Sequence, residues 1–182
     1  FRGNIAGTVR INAPRVVAGL LVRKVLPQMA ERHPDVTVDI VVEGRFVDIV
    51  SGGFDAGVRP HDSIPRDMIA VPFARPLSFV CIASPAYLDR FGEPETPEEL
   101  QRHRCIGHRM PSGRFYRWEF ERAGRELVID ANGSIVLDDE ELMVEAAIEG
   151  LGVAYVAEWA AETALSGGRV QKVLAAWMPA PE

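Results

Sequence analysis

The sequence has few cysteines and no long apolar run. Only two of its 182 residues are cysteine, Cys81 and Cys105, and each lies within a short apolar stretch. Their wide separation fits neither a disulfide framework nor a CxxC redox site, and it predicts two buried thiols. No apolar run approaches the length of a membrane-spanning helix, and no signal peptide opens the sequence. The first residue is Phe1 and not methionine, which predicts a fragment or a processed product.

The sequence also lacks the common catalytic and metal-binding motifs. It contains no GxSxG, HExxH, P-loop or GxGxxG motif in a suitable context, and no histidine has an identifiable nucleophile partner. His103, Cys105 and His108 match no established zinc spacing. We therefore predict that the protein is not an enzyme and that it needs neither a metal nor a cofactor.

The sequence has no excess of basic residues either. The net charge is −6, and residues 73–182 carry eleven Arg and Lys against eighteen Asp and Glu. A protein that grips a phosphate backbone needs a basic face. We therefore expect that this chain does not itself read nucleic acid.

One stretch still offers an alternative, because residues 102–125 combine seven arginines with several aromatic rings. Such a mixture is found where bases stack on proteins. However, Trp118 and Phe120 alternate with charged residues, which places the rings on one face of a strand. Ala123 and Gly124 then form a turn into the apolar segment that follows. We favour a hairpin whose rings lie in the core.

The stretch from residue 36 to 59 predicts an α/β organisation. Val36, Val38 and Ile40 alternate with polar residues, as in a half-buried strand, and EGRFVDIVSGG follows with helical spacing. FDAGVR then reads as a second strand, which predicts a parallel pair joined by a right-handed crossover. Ligands bind beyond the carboxyl ends of such strands, so Arg59 is a candidate ligand residue. The alternative is a solvated arginine at the start of a loop.

The first strand, GTVRI, leads into a helix. Asn12 is predicted as the N-cap, with Pro14 in the first turn and a restart or kink at Pro27. Free backbone N–H groups at a helix start suit an anion, although a cap that only satisfies the helix is equally compatible.

Further helix starts are predicted along the rest of the chain. Ser84 with Pro85 begins one helix, and Thr96 with Glu99 forms a capping box for another. Asp138 with Glu141 forms a second capping box, for a third helix. Paired prolines and a shift in charge place a lobe boundary at residues 72–76.

The order of several motifs resembles a known family. These motifs are GTVRINAP, HPDVTVDIVV, FVDIVSGGFDAGVR, SPAYLDRFGEPETPEELQRHRCIG and LDDEELMVEAAIEGLGVAYV. Together they look like the effector-binding domain of LysR-type transcriptional regulators. The resemblance implies an α/β, two-lobed fold like that of type-2 periplasmic binding proteins, with mixed sheets and an interlobe cleft. Lobe I would span 1–72 and lobe II 73–182.

The resemblance also implies a set of ligand-binding residues. They come from segments that the family uses around its ligand: Asn12, Pro14, Arg15, Arg45, Phe46, Arg59, His108, Arg109 and Asp138. Asp138 stands where the family often has Asn, and an acid there disfavours an anion on that side. The arginines favour a small organic acid held chiefly by lobe I, and Phe46 would give it an apolar wall that suits an aromatic acid.

The implied function is sensing of an inducer by a bacterial transcription regulator in the cytoplasm, away from any membrane. The implied partners are a small-molecule effector, a second copy in a homodimer or tetramer, and RNA polymerase. DNA would be bound only through the family's N-terminal winged helix-turn-helix, which this sequence lacks. The sequence also stops about where the family returns to lobe I for a last strand and helix. The alternative is a stand-alone periplasmic solute-binding protein that serves a transporter.

Overall fold

The computed structural model describes residues 5–42, 49–58, 64, 68–71, 78–110, 112–131 and 133–180. The chain divides into two compact units, Phe1–Phe73 and Ala74–Glu182. Most of the helix predicted after the second strand, together with the predicted boundary segment 72–76, lies outside the described residues. The lobe limits given above therefore stay a prediction.

Unit 1 contains a parallel sheet of three described strands, β1 (Gly7–Ala13), β2 (Val36–Val42) and β3 (Ala56–Gly57). The strand order is β2-β1-β3, and both outer strands run parallel to β1. β2 and β3 were expected to pair with each other, and this expectation is wrong because β1 lies between them. The alternation in β2 nevertheless predicted the strand itself correctly.

Two helices, α1 (Arg15–Lys24) and α2 (Leu26–Arg32), connect β1 to β2. The predicted restart near Pro27 is confirmed, since this proline lies in the first turn of α2. Asn12 is not the N-cap of α1, because that position belongs to Pro14, which has no side-chain capping bond. The pairing of β1 with β2 extends to Ala13 opposite Val42, so Asn12 is still part of the strand.

Unit 2 is built on a five-stranded mixed sheet with a hairpin and three helices. In chain order its elements are β4 (Phe79–Ala83), α3 (Pro85–Phe91), β5 (Cys105–His108), β6 (Trp118–Arg122), β7 (Arg125–Ile129), β8 (Ile135–Leu137), α4 (Glu140–Ile148), β9 (Val153–Ala157), α5 (Glu158–Ser166) and β10 (Gln171–Val173), with 3₁₀ turns at Pro97–Arg102 and Ala175–Trp177. The sheet order is β10-β4-β9-β5-β8, and β6 pairs with β7 in a separate hairpin.

The core of unit 2 is centred on β9, whose five residues are all buried. Val153 and Tyr155 pack on one face of the sheet with Cys81 and Cys105. Ala154 and Val156 pack on the other face, in the cluster that contains Met143 and Ala147 of α4. The two cysteines are free and buried, which confirms the sequence prediction.

The hairpin prediction is confirmed for residues 118–129. Trp118 is 0% exposed and Phe120 is 1% exposed, and both belong to the core cluster that contains Tyr155. Ala123 and Gly124 both have positive φ angles, 52° and 77°, at the turn. These two rings are therefore inaccessible to a nucleic-acid base.

The predicted helix starts have mixed outcomes. Ser84 caps α3 as predicted, since its hydroxyl accepts a bond from the Tyr87 N–H. Thr96 makes no side-chain capping bond to the 3₁₀ turn that follows it, so that capping box is wrong. The box at Asp138 is also wrong, because α4 starts one residue later and Asp139 accepts from the Leu142 N–H. None of the helices in the described ranges has the length and apolar character that a membrane span requires.

Candidate functional site

The carboxyl ends of the parallel strands in unit 1 bring together part of the predicted site. Asn12 is fully buried near the end of β1, and its side-chain amide donates to the Val41 carbonyl oxygen at 3.5 Å. Its own carbonyl oxygen accepts a bond from the Val58 N–H at 2.8 Å. Asn12 therefore ties β1 to both neighbouring segments of the chain.

Pro14 and Arg15 follow directly at the same edge. Pro14 is partly buried at the start of α1, whereas Arg15 is exposed in its first turn. Parallel strands end at a common edge, so these residues lie where ligands of α/β sheets are bound. Three other predicted site residues, Arg45, Phe46 and Arg59, lie outside the described residues.

The corresponding edge of unit 2 brings together the other predicted residues. β5 is parallel to both β8 and β9, so all three strands end at one edge, and β4 begins there with Phe79 opposite Ala157. His108 is the last residue of β5, and Asp138 follows β8 directly and is exposed.

Arg109 lies beside them at this edge. The backbone N–H of Arg109 donates to the Leu137 carbonyl oxygen at 2.7 Å. Its guanidinium lies over the Phe115 ring, 5.0 Å from the centroid, and the Phe115 side chain is largely exposed. A cation held over an exposed ring remains accessible to a ligand. His108, Arg109 and Asp138 therefore share one edge of unit 2.

An aromatic layer adjoins this edge, and the sequence analysis did not include it in the site. Tyr116 stacks on Phe79 with ring centroids 5.7 Å apart, and Phe79 stacks on Tyr155 at 5.3 Å. The His108 ring lies 6.3 Å from the Tyr116 ring. The Tyr155 hydroxyl donates to the Glu119 carbonyl oxygen at 3.1 Å, which fixes the layer to the hairpin. Phe79 and Tyr155 meet because β4 pairs with β9, which the sequence alone does not show.

Glu140 is the second residue that the sequence analysis missed at this edge. It is the first residue of α4, and burial raises the pKa of its carboxyl group to about 7. The neighbouring Asp139 carboxylate raises this pKa further, whereas a hydrogen bond from the Ala157 backbone N–H opposes the shift. The sequence signal was the acidic run at residues 138–141, which helix capping already explained.

Two other groups of the edge are uncharged near neutral pH. Burial lowers the pKa of His108, although the nearby Asp138 and Asp139 carboxylates oppose this. Burial also raises the pKa of Tyr116 to about 12. Neutral imidazole and phenol groups can each donate one hydrogen bond and accept others. The edge therefore offers polar, uncharged groups next to aromatic surface.

The described residues contain no group of three or more His, Cys, Asp or Glu side chains that could hold a metal ion. Burial raises the pKa of Cys105 to about 12, and it also raises that of Cys81. Both therefore remain thiols at neutral pH, and a thiol is a poor nucleophile compared with a thiolate.

The family of the chain follows from comparison with known proteins. Residues 2–182 match the family model described as the LysR substrate binding domain. The chain belongs to this family. It is 37% identical over 177 residues to the HTH-type transcriptional regulator YcaN of Escherichia coli K12, a match that covers 97% of this chain and 58% of that protein. It is 30% identical over 175 residues to PgrR, an HTH-type transcriptional regulator of the same organism, covering 96% and 58%.

Solved structures show the same fold. The LysR-type regulator CrgA of Neisseria meningitidis superimposes with a TM-score of 0.83 at 19% identity, covering 96% of this chain and 58% of CrgA. The full-length virulence activator AphB of Vibrio cholerae gives 0.80 at 23% identity, covering 98% and 60%. The predicted two-lobed α/β fold of the periplasmic-binding-protein type is therefore confirmed. This LysR substrate binding domain spans about three-fifths of the length of the relatives it matches.

Proposed function

We propose that this LysR substrate binding domain senses a small organic acid on behalf of a longer bacterial transcription regulator that works in the cytoplasm. Its relatives YcaN and PgrR are HTH-type transcriptional regulators of greater length, and this supports the regulator over a stand-alone solute-binding protein. In the longer protein, a separate helix-turn-helix domain would bind DNA, and RNA polymerase would respond to the change in DNA binding. Regulation requires that the effector binds one arrangement of the protein more tightly than another.

The position of Arg15 is the observation that carries the proposed ligand class. Its exposed side chain lies in the first turn of α1, directly beyond the carboxyl end of β1. Free N–H groups and the helix dipole favour an anion at such a place, and arginine adds charged donors. Arg109 provides a second exposed guanidinium at the edge of unit 2. That the effector lies between the two lobes, and that Arg45, Phe46 and Arg59 contact it, stay predictions.

Replacement of Arg15 or Arg59 by alanine is expected to abolish most of the stabilisation that organic acids give to the protein. Loss of a charge-assisted hydrogen bond to a carboxylate costs about 1.5–3 kcal/mol, or roughly ten- to a hundredfold in affinity. Thermal unfolding is measured with phenylacetate, succinate and pyruvate, each beside its neutral amide.

Arg32→Ala is the matched control, because Arg32 is exposed at the end of α2, next to the amino end of β2. This variant is expected to respond to acids as the wild type does. Stabilisation by neutral or cationic compounds alone, or equal responses in all three variants, would contradict the proposed ligand class.

We further propose that the chain forms a homodimer or part of a tetramer through α1 and α4. Val22 and Val25 are 53% and 45% exposed at the end of α1, and Leu142 is 53% exposed on α4. Apolar side chains grouped on a helix face are typical of protein interfaces.

Val25→Glu is expected to shift the protein toward the monomer, because a charge in an apolar interface must be desolvated. Light scattering over a range of concentrations measures the shift. Val128→Glu is the control, since Val128 is similarly exposed, at 48%, but lies on the β6–β7 hairpin. A wild-type protein that stays monomeric at high concentration would refute the proposed interface.

A further inference from the structure

Two arginines flank a partly exposed phenylalanine ring at the end of α3. The guanidinium of Arg90 lies over the Phe91 ring, 5.1 Å from its centroid, and the guanidinium of Arg104 lies over the same ring, also at 5.1 Å. Phe91 is 39% exposed, and both arginines are exposed. Arg90 and Phe91 end α3, whereas Arg104 directly precedes β5. Two separate segments of unit 2 therefore build one surface, which we call the arginine–phenylalanine surface.

A buried tyrosine holds these two segments together. Tyr87 is 2% exposed and packs against the Phe91 ring with centroids 4.8 Å apart. Its hydroxyl oxygen accepts a hydrogen bond from the backbone N–H of Arg104 at 2.9 Å and lies 3.1 Å from Nδ1 of His103. The ring of Phe91 and the main chain of Arg104 are thus fixed before any partner binds. Such preorganisation lowers the entropic cost of binding.

The two guanidinium groups keep their hydrogen-bonding capacity, because a contact with a ring face does not use up their N–H donors. Among the described residues, neither Arg90 nor Arg104 makes a side-chain hydrogen bond or an ion pair, although Asp89 lies next to Arg90 in the sequence. Arg117 and Arg125, by contrast, each form an ion pair with a carboxylate. The arginine–phenylalanine surface therefore carries two positive charges without a counter-charge from unit 2.

The composition of unit 2 indicates what such a surface would bind. Residues 73–182 carry eleven Arg and Lys against eighteen Asp and Glu, so carboxylates are in excess and yet do not pair with these two arginines. Arginine and aromatic side chains are enriched at protein interfaces. A segment rich in Asp and Glu complements both guanidiniums. A phosphate backbone is disfavoured, because the excess carboxylates of the unit repel it.

We propose that the arginine–phenylalanine surface is a docking site for an acidic segment of a partner protein. Carboxylates of that segment accept charge-assisted hydrogen bonds from Arg90 and Arg104, and its apolar side chains cover the exposed part of the Phe91 ring. Unit 2 supplies every residue of this site, and no effector takes part in the contact. The docking site is therefore independent of the proposed ligand class.

The test is fluorescence anisotropy of a short labelled peptide that alternates glutamate with glycine and phenylalanine. The peptide is titrated with the 182-residue chain at about 50 mM salt, which limits screening. We expect the wild type to bind this peptide and not to bind the matched peptide that carries glutamine in place of glutamate. Arg90→Gln and Arg104→Gln should each weaken binding about tenfold, since each removes one charge-assisted hydrogen bond while keeping most of the side-chain stem.

Two further variants separate this surface from general electrostatic attraction. Phe91→Leu keeps the net charge and an apolar side chain but removes the ring face that holds both guanidiniums, so about threefold weaker binding is expected. Arg114→Gln removes an exposed arginine from the turn beyond the other end of β5 and should bind as the wild type does. Circular dichroism verifies that each variant is folded.

Several results would overturn the docking site. These are a wild type that does not bind the acidic peptide, equal binding of the glutamine peptide, and a loss in Arg114→Gln as large as that in Arg90→Gln and Arg104→Gln. Unchanged binding by Phe91→Leu would show that the ring does not orient the two guanidiniums and would remove it from the site. Random-sequence duplex DNA is titrated as a second probe, and tighter binding of DNA through Arg90 and Arg104 would overturn the choice of a protein partner.

Discussion

Replacement of Trp118 by alanine is expected to lower the free energy of unfolding of unit 2 by about 3–5 kcal/mol. The side chain is fully buried and stacks on Tyr155 with ring centroids 5.5 Å apart. Phe120 meets the same Tyr155 ring edge-on at 5.9 Å. Removal of the indole opens a cavity beneath the central strand β9, and neighbours that are themselves packed can collapse into it only in part.

Two further variants separate packing from other effects. Trp118→Phe keeps an aromatic ring and removes an indole N–H that has no hydrogen-bond partner in the described part of the chain, so a loss below about 1.5 kcal/mol is expected. Phe115→Ala changes an exposed ring, 57% accessible, in the same stretch and should cost less than about 0.5 kcal/mol. Urea unfolding followed by fluorescence and circular dichroism measures all three. A small loss in Trp118→Ala would contradict the core position of the hairpin.

Glu140→Gln is expected to stabilise the protein at pH 8 by about 1–2 kcal/mol and to leave it unchanged near pH 4.5. The pKa of Glu140 is raised in the folded protein from 4.5 to about 7, so the folded state holds a proton that the unfolded state has released. Stability is therefore full below about pH 4.5 and falls as the pH rises to about 7. The full shift corresponds to about 3 kcal/mol, and partial exposure to solvent reduces this.

Urea unfolding of wild type and Glu140→Gln across pH 4.5–8 gives the comparison. Glu141→Gln controls for the loss of a negative charge in the first turn of α4, where it interacts with the helix dipole. The difference between wild type and Glu140→Gln should grow with pH and level off above about pH 7. A constant difference would show that Glu140 is ionised in the folded protein throughout.

Local signals predicted those parts of the fold that depend on local physics. Alternation located β2 and the β6–β7 hairpin, and the Ser-Pro pair located the start of α3. Pro27 located the restart between α1 and α2, because proline has no backbone N–H to donate to the helix before it. In each case the deciding interaction lies within a few residues of the signal.

The errors arose where long-range pairing decides the structure. Asn12 and Asp138 both have good capping side chains, yet each lies one or two residues before the position that caps the helix. Asn12 stays in β1 because pairing with β2 continues to Ala13. The expected pairing of β2 with β3 failed for the same reason. β1 lies between these two strands, and strand order depends on the pairing of the whole sheet.

The candidate site also contains residues that the sequence could predict and residues that it could not. The residues at strand ends, such as His108 and Arg109, could be selected from the sequence through a family resemblance. Glu140 and Phe79 could not, because their roles depend on which strands share an edge and how deeply each side chain is buried.

The central place of β9 has a consequence during protein synthesis. β9 pairs with β4 on one side and β5 on the other, and its side chains enter both cores of unit 2. A ribosome adds about 5–20 residues per second, so β4 emerges several seconds before the strand that will cover its edge. Until then the nascent chain exposes two apolar strands without their common partner, a state in which capture by chaperones competes with aggregation. We therefore expect unit 2 to complete its folding only after residues 153–157 have been translated.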